Sequence, residues 1–380
     1  MSVDLSPVLA ELEQYPFARL DEWRAEVRAA GIEPIDFGMG DPRETTPAFI
    51  REALIASVDE VSSYPRASGL PELREAIAGW VGRRFSVTVD PAGEVVPTLG
   101  SKEAIFSFAQ IATGERRVVA VPGPAYPVYE RGALFAGAEV ATVPLRESTG
   151  WLPDLDAFDR WDELALFWTC FPSNPTGATA PLAFHEELAG RARERGFLVC
   201  SDEAYSELWF GPEPPVSALQ VSDRASVVVF NTLSKRSSMT GYRSGFVCAA
   251  PAVCDALRAF RPTTGTAPQE FVQRASVAAW SDEAHVEAVR DVYRRKRDTL
   301  LPALESAGLR AAGGDATFFL WLAVEGESEA VARRLLERGI LVAPGSFFGP
   351  AGEGFVRLAL VPTQAECERA AEVLRAALLS

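Results

Sequence analysis

Apolar and polar positions follow two different periods along this chain. Between residues 94 and 250, short apolar runs recur: EVVPTL (94–99), RVVAVP (117–122), AEVATVP (138–144), LALFWTC (164–170), FLVCSDEAY (197–205), SVVVF (226–230) and GFVCAA (245–250). They are rich in β-branched and aromatic residues and bounded by turn residues, which predicts buried strands. Stretches with helical spacing lie between them, at 103–112, in the second half of 123–137, over 154–161 and at 184–196. Such alternation predicts an α/β fold, a mainly parallel sheet sandwiched by helices. Parallel strands need right-handed crossovers, and ligands collect at the carboxyl ends of the strands.

The flanks read differently. Residues 7–31 have amphipathic helical spacing with a break at Tyr15-Pro16. Residues 34–47 read as extended and contain a Gly-Asp-Pro turn, and Pro47 and Pro71 each open a helix. Residues 281–308 are charged and helical, long enough to connect two units. Beyond them the pattern predicts strands at 317–324, 340–344 and 355–361, a helix at 327–339 and a final helix from Gln364, a smaller α+β unit. The expected division is a large domain at 43–280 and a small one made of 1–42 and 281–380.

Composition narrows the function. The net charge of -15 argues against a nucleic-acid partner, since phosphate backbones repel an acidic chain. No apolar run approaches the roughly 18 residues of a membrane span, and the N-terminus lacks the pattern of a signal peptide. Five scattered cysteines without a CxxC pair suit core positions in a reducing cytoplasm. The two histidines, His185 and His285, lie far apart in sequence and in helical context, which speaks against a histidine-built metal site or a Ser-His-Asp triad.

Lysine usage changes the picture most. The chain has three lysines, Lys102, Lys235 and Lys296, against 34 arginines, so a lysine at the end of a buried strand calls for a reason. Unlike arginine, lysine can lose its proton when desolvated and can form a Schiff base. Thr232 stands three residues before Lys235 and Arg243 eight after it. Hydroxyl, amine and guanidinium around one loop suit an aldehyde that carries a phosphate, such as pyridoxal 5'-phosphate (PLP). A surface loop with ordinary cations would look the same on this stretch alone.

The other strand ends supply what such a cofactor needs. Gly100-Ser101-Lys102 turns a strand into a helix and offers backbone N–H groups to a phosphate. Tyr126, Asn174, Asp202 and Tyr205 each follow a strand. A carboxylate such as Asp202 can keep a pyridine nitrogen protonated, Asn174 and Tyr205 can donate to the 3'-oxygen, and Tyr126 can stack on the ring. Taken singly each is weak: NPTG is a turn signal, and Asp after a strand is commonly a helix cap.

The combination, in order, of GSK, AYP, SNPTG, SDEAYSE, TLSKRSSMTGYRSGF and FVRLAL resembles the class I/II aminotransferases, PLP enzymes of fold type I, from about residue 10 to the end. The resemblance implies Lys235 as the Schiff-base lysine and proton carrier, Asp202 at the pyridine nitrogen, and Asn174 and Tyr205 at the 3'-oxygen. Tyr126 would stack on the ring, while Ser101, Lys102 (through its backbone), Thr232, Ser234 and Arg243 would hold the phosphate. Arg357 would clamp the substrate α-carboxylate, Gly40 would let backbone approach the substrate, and Tyr64 would cross a homodimer interface to the neighbour's phosphate. Within the family, YPFARL, LGSKEAIFSFAQ and RPTTGTAPQEFVQRASVAAWSDEAHV resemble bacterial N-succinyl-diaminopimelate aminotransferases of lysine biosynthesis. That implies N-succinyl-L,L-2,6-diaminopimelate as amino donor and 2-oxoglutarate as acceptor. Arg43, Arg66, Arg236 and Arg261 are the candidates for a distal-carboxylate clamp. The alternatives are an aspartate, aromatic or alanine aminotransferase, a PLP carbon–sulfur lyase, or a non-catalytic PLP-binding regulator, for which no basic helix-turn-helix is visible.

Overall fold

A computed structural model describes residues 6–11, 15–61 and 63–376. The strands are β1 (Ile35–Asp36), β2 (Val95–Thr98), β3 (Val118–Gly123), β4 (Glu139–Pro144), β5 (Leu164–Cys170), β6 (Leu198–Asp202), β7 (Val227–Thr232), β8 (Gly245–Ala249), β9 (Arg310–Ala311), β10 (Phe319–Ala323), β11 (Ile340–Leu341), β12 (Ala343–Pro344) and β13 (Phe355–Ala359). Seven of them form one sheet in the order β2-β8-β7-β6-β5-β3-β4. The pairs β7–β6, β6–β5, β5–β3 and β3–β4 are parallel, whereas β8 runs antiparallel to both β7 and β2. The reversal has a simple cause. Residues 233–244 contain only two short helical turns, Leu233–Arg236 and Thr240–Tyr242, and return directly beside β7, with Thr232 opposite Gly245, so no crossover is made.

Period-two alternation packs both faces of this sheet. Val228 and Phe230 join Phe108 and Trp168 in one apolar cluster, while Val227 and Val229 join Trp80 and Trp280 in another. The rings of Phe108 and Phe230 meet edge to face at 5.4 Å. Two smaller sheets stand apart from the large one. One is β12-β13-β10-β9, and in the other β1 pairs in parallel with β11, which brings the N-terminal segment to the C-terminal part of the chain.

Helices form at Pro7–Glu11 and Ala18–Ala29, and the part of the predicted 7–31 helix at residues 12–14 lies outside the described residues. The long helix spans Ala284–Ser306, close to the predicted 281–308. The predicted helix over 154–161 is absent. There the Asp154 carboxylate accepts from the backbone N–H groups of Asp156 and Ala157, a local turn that competes with a helix. No described helix is long and apolar enough to cross a membrane.

Candidate active site

Because β8 alone runs against its sheet, the carboxyl ends of β2, β3, β5, β6 and β7 lie along one edge. A cleft of about 490 Å³ opens there, lined from those ends by Ser101, Lys102, Tyr126, Asn174, Asp202, Tyr205, Thr232, Ser234 and Lys235. Arg243, Gly40 and Arg357 complete the wall. Of the residues implied for the cofactor and the donor's α-carboxylate, Tyr64 stands elsewhere: it is wholly exposed and does not line this cleft.

Lys235 sits in the helical turn Leu233–Arg236 that begins where β7 stops. The turn is capped by Thr232, whose hydroxyl accepts from the Ser234 N–H, because a strand-end threonine can satisfy an orphan donor. Lys235 Nζ donates to the Gly40 carbonyl at 2.8 Å and pairs with no carboxylate among the described residues. Burial pushes its pKa down to about 8. Asp41 opposes the shift, Arg357 and Arg243 add to it, and Asp202 opposes it. An amine placed so can shed its proton near neutrality and act as nucleophile or base.

Asp202 ends β6 and is buried. Burial pushes its carboxyl up to about 6, against the Tyr129 hydroxyl, which donates to Oδ2 at 2.7 Å, and the Ala204 N–H at Oδ1. A buried carboxylate short of a cation gains most from a cationic ring nitrogen brought into the cleft. Arg357, on β13, is buried too. It donates to Asn174 Oδ1 at 3.0 Å and to the Gly38 carbonyl at 2.7 Å, while its Nε has no partner. Burial brings its pKa down to about 10. The rings of Phe319, Phe348 and Phe17 surround it at 4.2–5.2 Å. Since Asn174 Oδ1 is taken, its amide N–H₂ remains as a donor. A planar guanidinium without a carboxylate suits bidentate capture of one from a ligand.

At the far side of the cleft, Gly100 opens the helix Gly100–Ala112. Its φ is +70°, and a Cβ there would stand 2.5 Å from Arg243 Nη2, so only glycine permits the approach. Ser101, Thr232, Ser234, Arg243 and the helix N-terminus form a set of hydroxyl, guanidinium and backbone donors that matches a phosphate. Carboxylate, lysine and phosphate donors therefore all converge on one cleft, and together they fit PLP.

Sequence reading missed several lining residues: Tyr129, Asp41, Tyr15 and Phe319. Tyr129 stands one helical turn beyond Tyr126, a spacing that could have found it. Tyr15 belongs to the YPFARL stretch and hydrogen-bonds with Tyr126, a contact between distant segments that carries no local signal. The proposed distal clamps are corrected in part. Arg236 is buried between Trp80 and Trp280 and paired with Glu283. Arg261 is buried and paired with Glu103. Both are spent on internal carboxylates, and Arg43 and Arg66 are exposed outside the cleft.

Comparison with known proteins places this geometry. The family model "Aminotransferase class I and II" matches residues 32–374. An LL-diaminopimelate aminotransferase of Nitratidesulfovibrio vulgaris is 39% identical over 378 residues, covering 96% of this chain and 97% of the relative. Among solved structures, an aminotransferase from Neisseria meningitidis is similar with a TM-score of 0.91 at 36% identity, covering 98% of this chain and 99% of that one. A probable N-succinyldiaminopimelate aminotransferase from Thermus thermophilus is similar with a TM-score of 0.89 at 30% identity, covering 95% and 100%. The fold type I architecture, the matched span and the donor set of the cleft agree: the chain belongs to the class I and II aminotransferases, and it is a PLP-dependent enzyme.

Proposed function

We propose that this aminotransferase takes L,L-2,6-diaminopimelate as amino donor and 2-oxoglutarate as acceptor, in lysine biosynthesis in the cytoplasm. One observation carries the choice of a free rather than a succinylated donor. Among the described residues the arginines that line the cleft are Arg243 and Arg357, both with work to do, and no further described arginine lines it to fork a succinyl carboxylate. Two other charged groups face the cleft instead. Lys102, whose pKa is lowered by burial, Arg243 and Arg131, can receive a distal carboxylate. Asp41 can receive a distal ammonium. The names of the relatives at 39% identity agree with this reading. The Thermus neighbour's name favours the second reading, the succinylated donor.

In the proposed site the cofactor supplies an electron sink for charge that develops at the substrate Cα. Lys235 would hold it covalently and would carry the proton at Cα. Asp202 would keep the ring nitrogen protonated, Tyr205 and Asn174 would donate to the ring oxygen, and Tyr126 would stack on the ring. Ser101, Lys102 through its backbone, Thr232, Ser234 and Arg243 would hold the phosphate, while Arg357 and Asn174 would orient the donor's α-carboxylate near Gly40. The domain division at 43–280 against 1–42 and 281–380 belongs to the same proposal. So does the homodimer, in which the exposed Tyr64 crosses to the neighbour's phosphate. Tyr64→Phe subunits mixed with Lys235→Ala subunits should regain activity in heterodimers, and failure to do so would remove Tyr64 from the shared site.

The deciding experiment compares rates with L,L-diaminopimelate, its N-succinyl form, aspartate, phenylalanine and alanine. We expect the free diaminopimelate to be fastest. A faster succinylated donor would establish the second reading. Arg66, two residues past Tyr64, would then be the clamp to test, with Arg66→Ala expected to cost roughly 2–4 kcal/mol in kcat/KM. Faster aspartate or phenylalanine would refute both donors.

A further inference from the structure

The geometry points to His285 as a positioning residue for Lys235, acting through Ser237. Ser237 lies two residues past the lysine and closes its helical turn, with its N–H on the Leu233 carbonyl. Its hydroxyl stands 2.8 Å from His285 Nε2, and His285 Nδ1 stands 2.7 Å from Asp282 Oδ1. A carboxylate can only accept, so Nδ1 carries the proton, and in the neutral ring, which burial favours, Nε2 accepts from the Ser237 O–H. The three side chains form the hydrogen-bond order of a hydrolytic triad, which the sequence had spoken against. Ser237 has no exposed surface, however, so no substrate can reach its oxygen. A buried serine in this order is a strut and not a nucleophile.

The strut meets a strained part of the backbone. Ser238 has φ +52°, in the left-handed region that favours glycine. External contacts hold the three residues after Lys235 in turn. Arg236 donates to the Ala279 carbonyl at 3.0 Å and to Glu283 at 2.9 Å. Ser237 binds His285, and the Ser238 carbonyl accepts from Thr46 Oγ1 at 2.6 Å. His285 is itself fixed by the Asp282 carboxylate at both its ring and its backbone N–H, and by the edge of Phe49 at 5.5 Å. Its helix, Ala284–Ser306, is held further along by Lys296, which pairs with Glu44 and donates to the Leu360 carbonyl at 3.2 Å. Glu44 lies close in sequence to Gly40, and Leu360 follows the strand that bears Arg357. The helix thus joins the turn of Lys235 to the segments that bear the other two contacts proposed for the donor. His285 is its link at the lysine end.

The inference rests on Lys235 as the cofactor-bearing lysine, and the test separates the two. The holoenzyme and its Ser237→Ala, His285→Ala and His285→Gln forms are assayed for kcat, KM, melting temperature and the pH at which the visible band of the lysine-bound cofactor titrates. Glutamine offers an acceptor near the place of Nε2, whereas alanine does not. We expect Ser237→Ala and His285→Ala to lower kcat roughly 10- to 100-fold, as misaimed catalytic groups do, with KM within about threefold. The band should titrate at a displaced pH in both, and His285→Gln should recover most of kcat and the original titration. An unmoved band with unchanged kcat in Ser237→Ala overturns the inference. So does a loss in His285→Ala that follows melting temperature alone and is not recovered by glutamine. Borohydride reduction and peptide mapping of each form complete the test. A label on Lys102 or Lys296 would overturn the Lys235 assignment and this inference with it, while a label on Lys235 with unmoved variants overturns this inference alone.

Discussion

The cleft and the packing behind it hold the same kinds of buried charged groups in opposite conditions. Arg357 and Arg236 are both buried guanidiniums. Arg236 has Glu283 as counter-ion, whereas Arg357 has only neutral acceptors among the described residues and an Nε without a partner. Lys296 is buried against Glu44, whereas Lys235 donates to a carbonyl and pairs with no carboxylate among the described residues. Asp202 and Glu203 are neighbours whose carboxyls burial pushes up to about 6 and about 7. Each accepts two hydrogen bonds, Glu203 from Ser201 and the Ala218 N–H and Asp202 from Tyr129 and the Ala204 N–H, and neither has a counter-ion among the described residues, but Asp202 alone of the two lines the cleft. Burial and residue type therefore do not mark function here. We read an uncompensated charge beside an open volume as the mark, because a ligand can supply the missing partner there.

The largest expected contrast is between lysines. Lys235→Arg should lower turnover by about four orders of magnitude or more, since it would remove the proposed nucleophile and proton carrier. Lys296→Arg keeps a charge for Glu44, so turnover should stay within about tenfold, with the cost seen as a lower melting temperature. Equal losses in the two would erase the distinction. The carboxylates come next. Asp202→Asn should cut turnover by roughly 10²–10⁴-fold while Glu203→Gln retains most of it, with single-turnover rates as the readout.

The same pair carries a pH prediction. Both folded pKa values are raised above the ordinary carboxyl range, so their contribution is fully present below about 4 and is lost as pH rises through about 6 and 7. The apoenzyme should lose stability across that window, by about 3 kcal/mol for a shift of roughly two units at Asp202. Asp202→Asn should remove its share of the loss in urea titrations at pH 4 and pH 8. Identical pH slopes in the variant and the parent would contradict the assignment.

For the arginines, Arg357→Lys should cost about 2–4 kcal/mol in kcat/KM, chiefly by losing the planar fork. Arg236→Lys should leave kcat/KM within a few-fold and lower stability by about 1–3 kcal/mol through its lost stacking and hydrogen bonds. The smallest effect concerns Asp41, which raises the Lys235 pKa. Asp41→Asn should shift the rise of cofactor capture by the apoenzyme to lower pH, since capture needs the neutral amine. A shift to higher pH would refute the interaction.

Much of this was legible in the chain itself. Apolar runs of strand length, separated by helical stretches, determined the α/β sheet, because a strand buried on both faces must be apolar throughout. Lysine scarcity and strand-end position singled out Lys235, and residues at the carboxyl ends of parallel strands share one edge whatever their sequence separation. Two things had no local signal. The reversal of β8 followed from a connection that makes no crossover, and the identity of the uncompensated charges followed from which side chains meet. Arg43, Arg66, Arg236 and Arg261 were indistinguishable as letters. Tertiary packing gave Glu283 to Arg236 and Glu103 to Arg261, left Arg43 and Arg66 exposed, and left Arg357 without a carboxylate, because whether a charge finds a counter-ion depends on contacts between residues far apart in the chain.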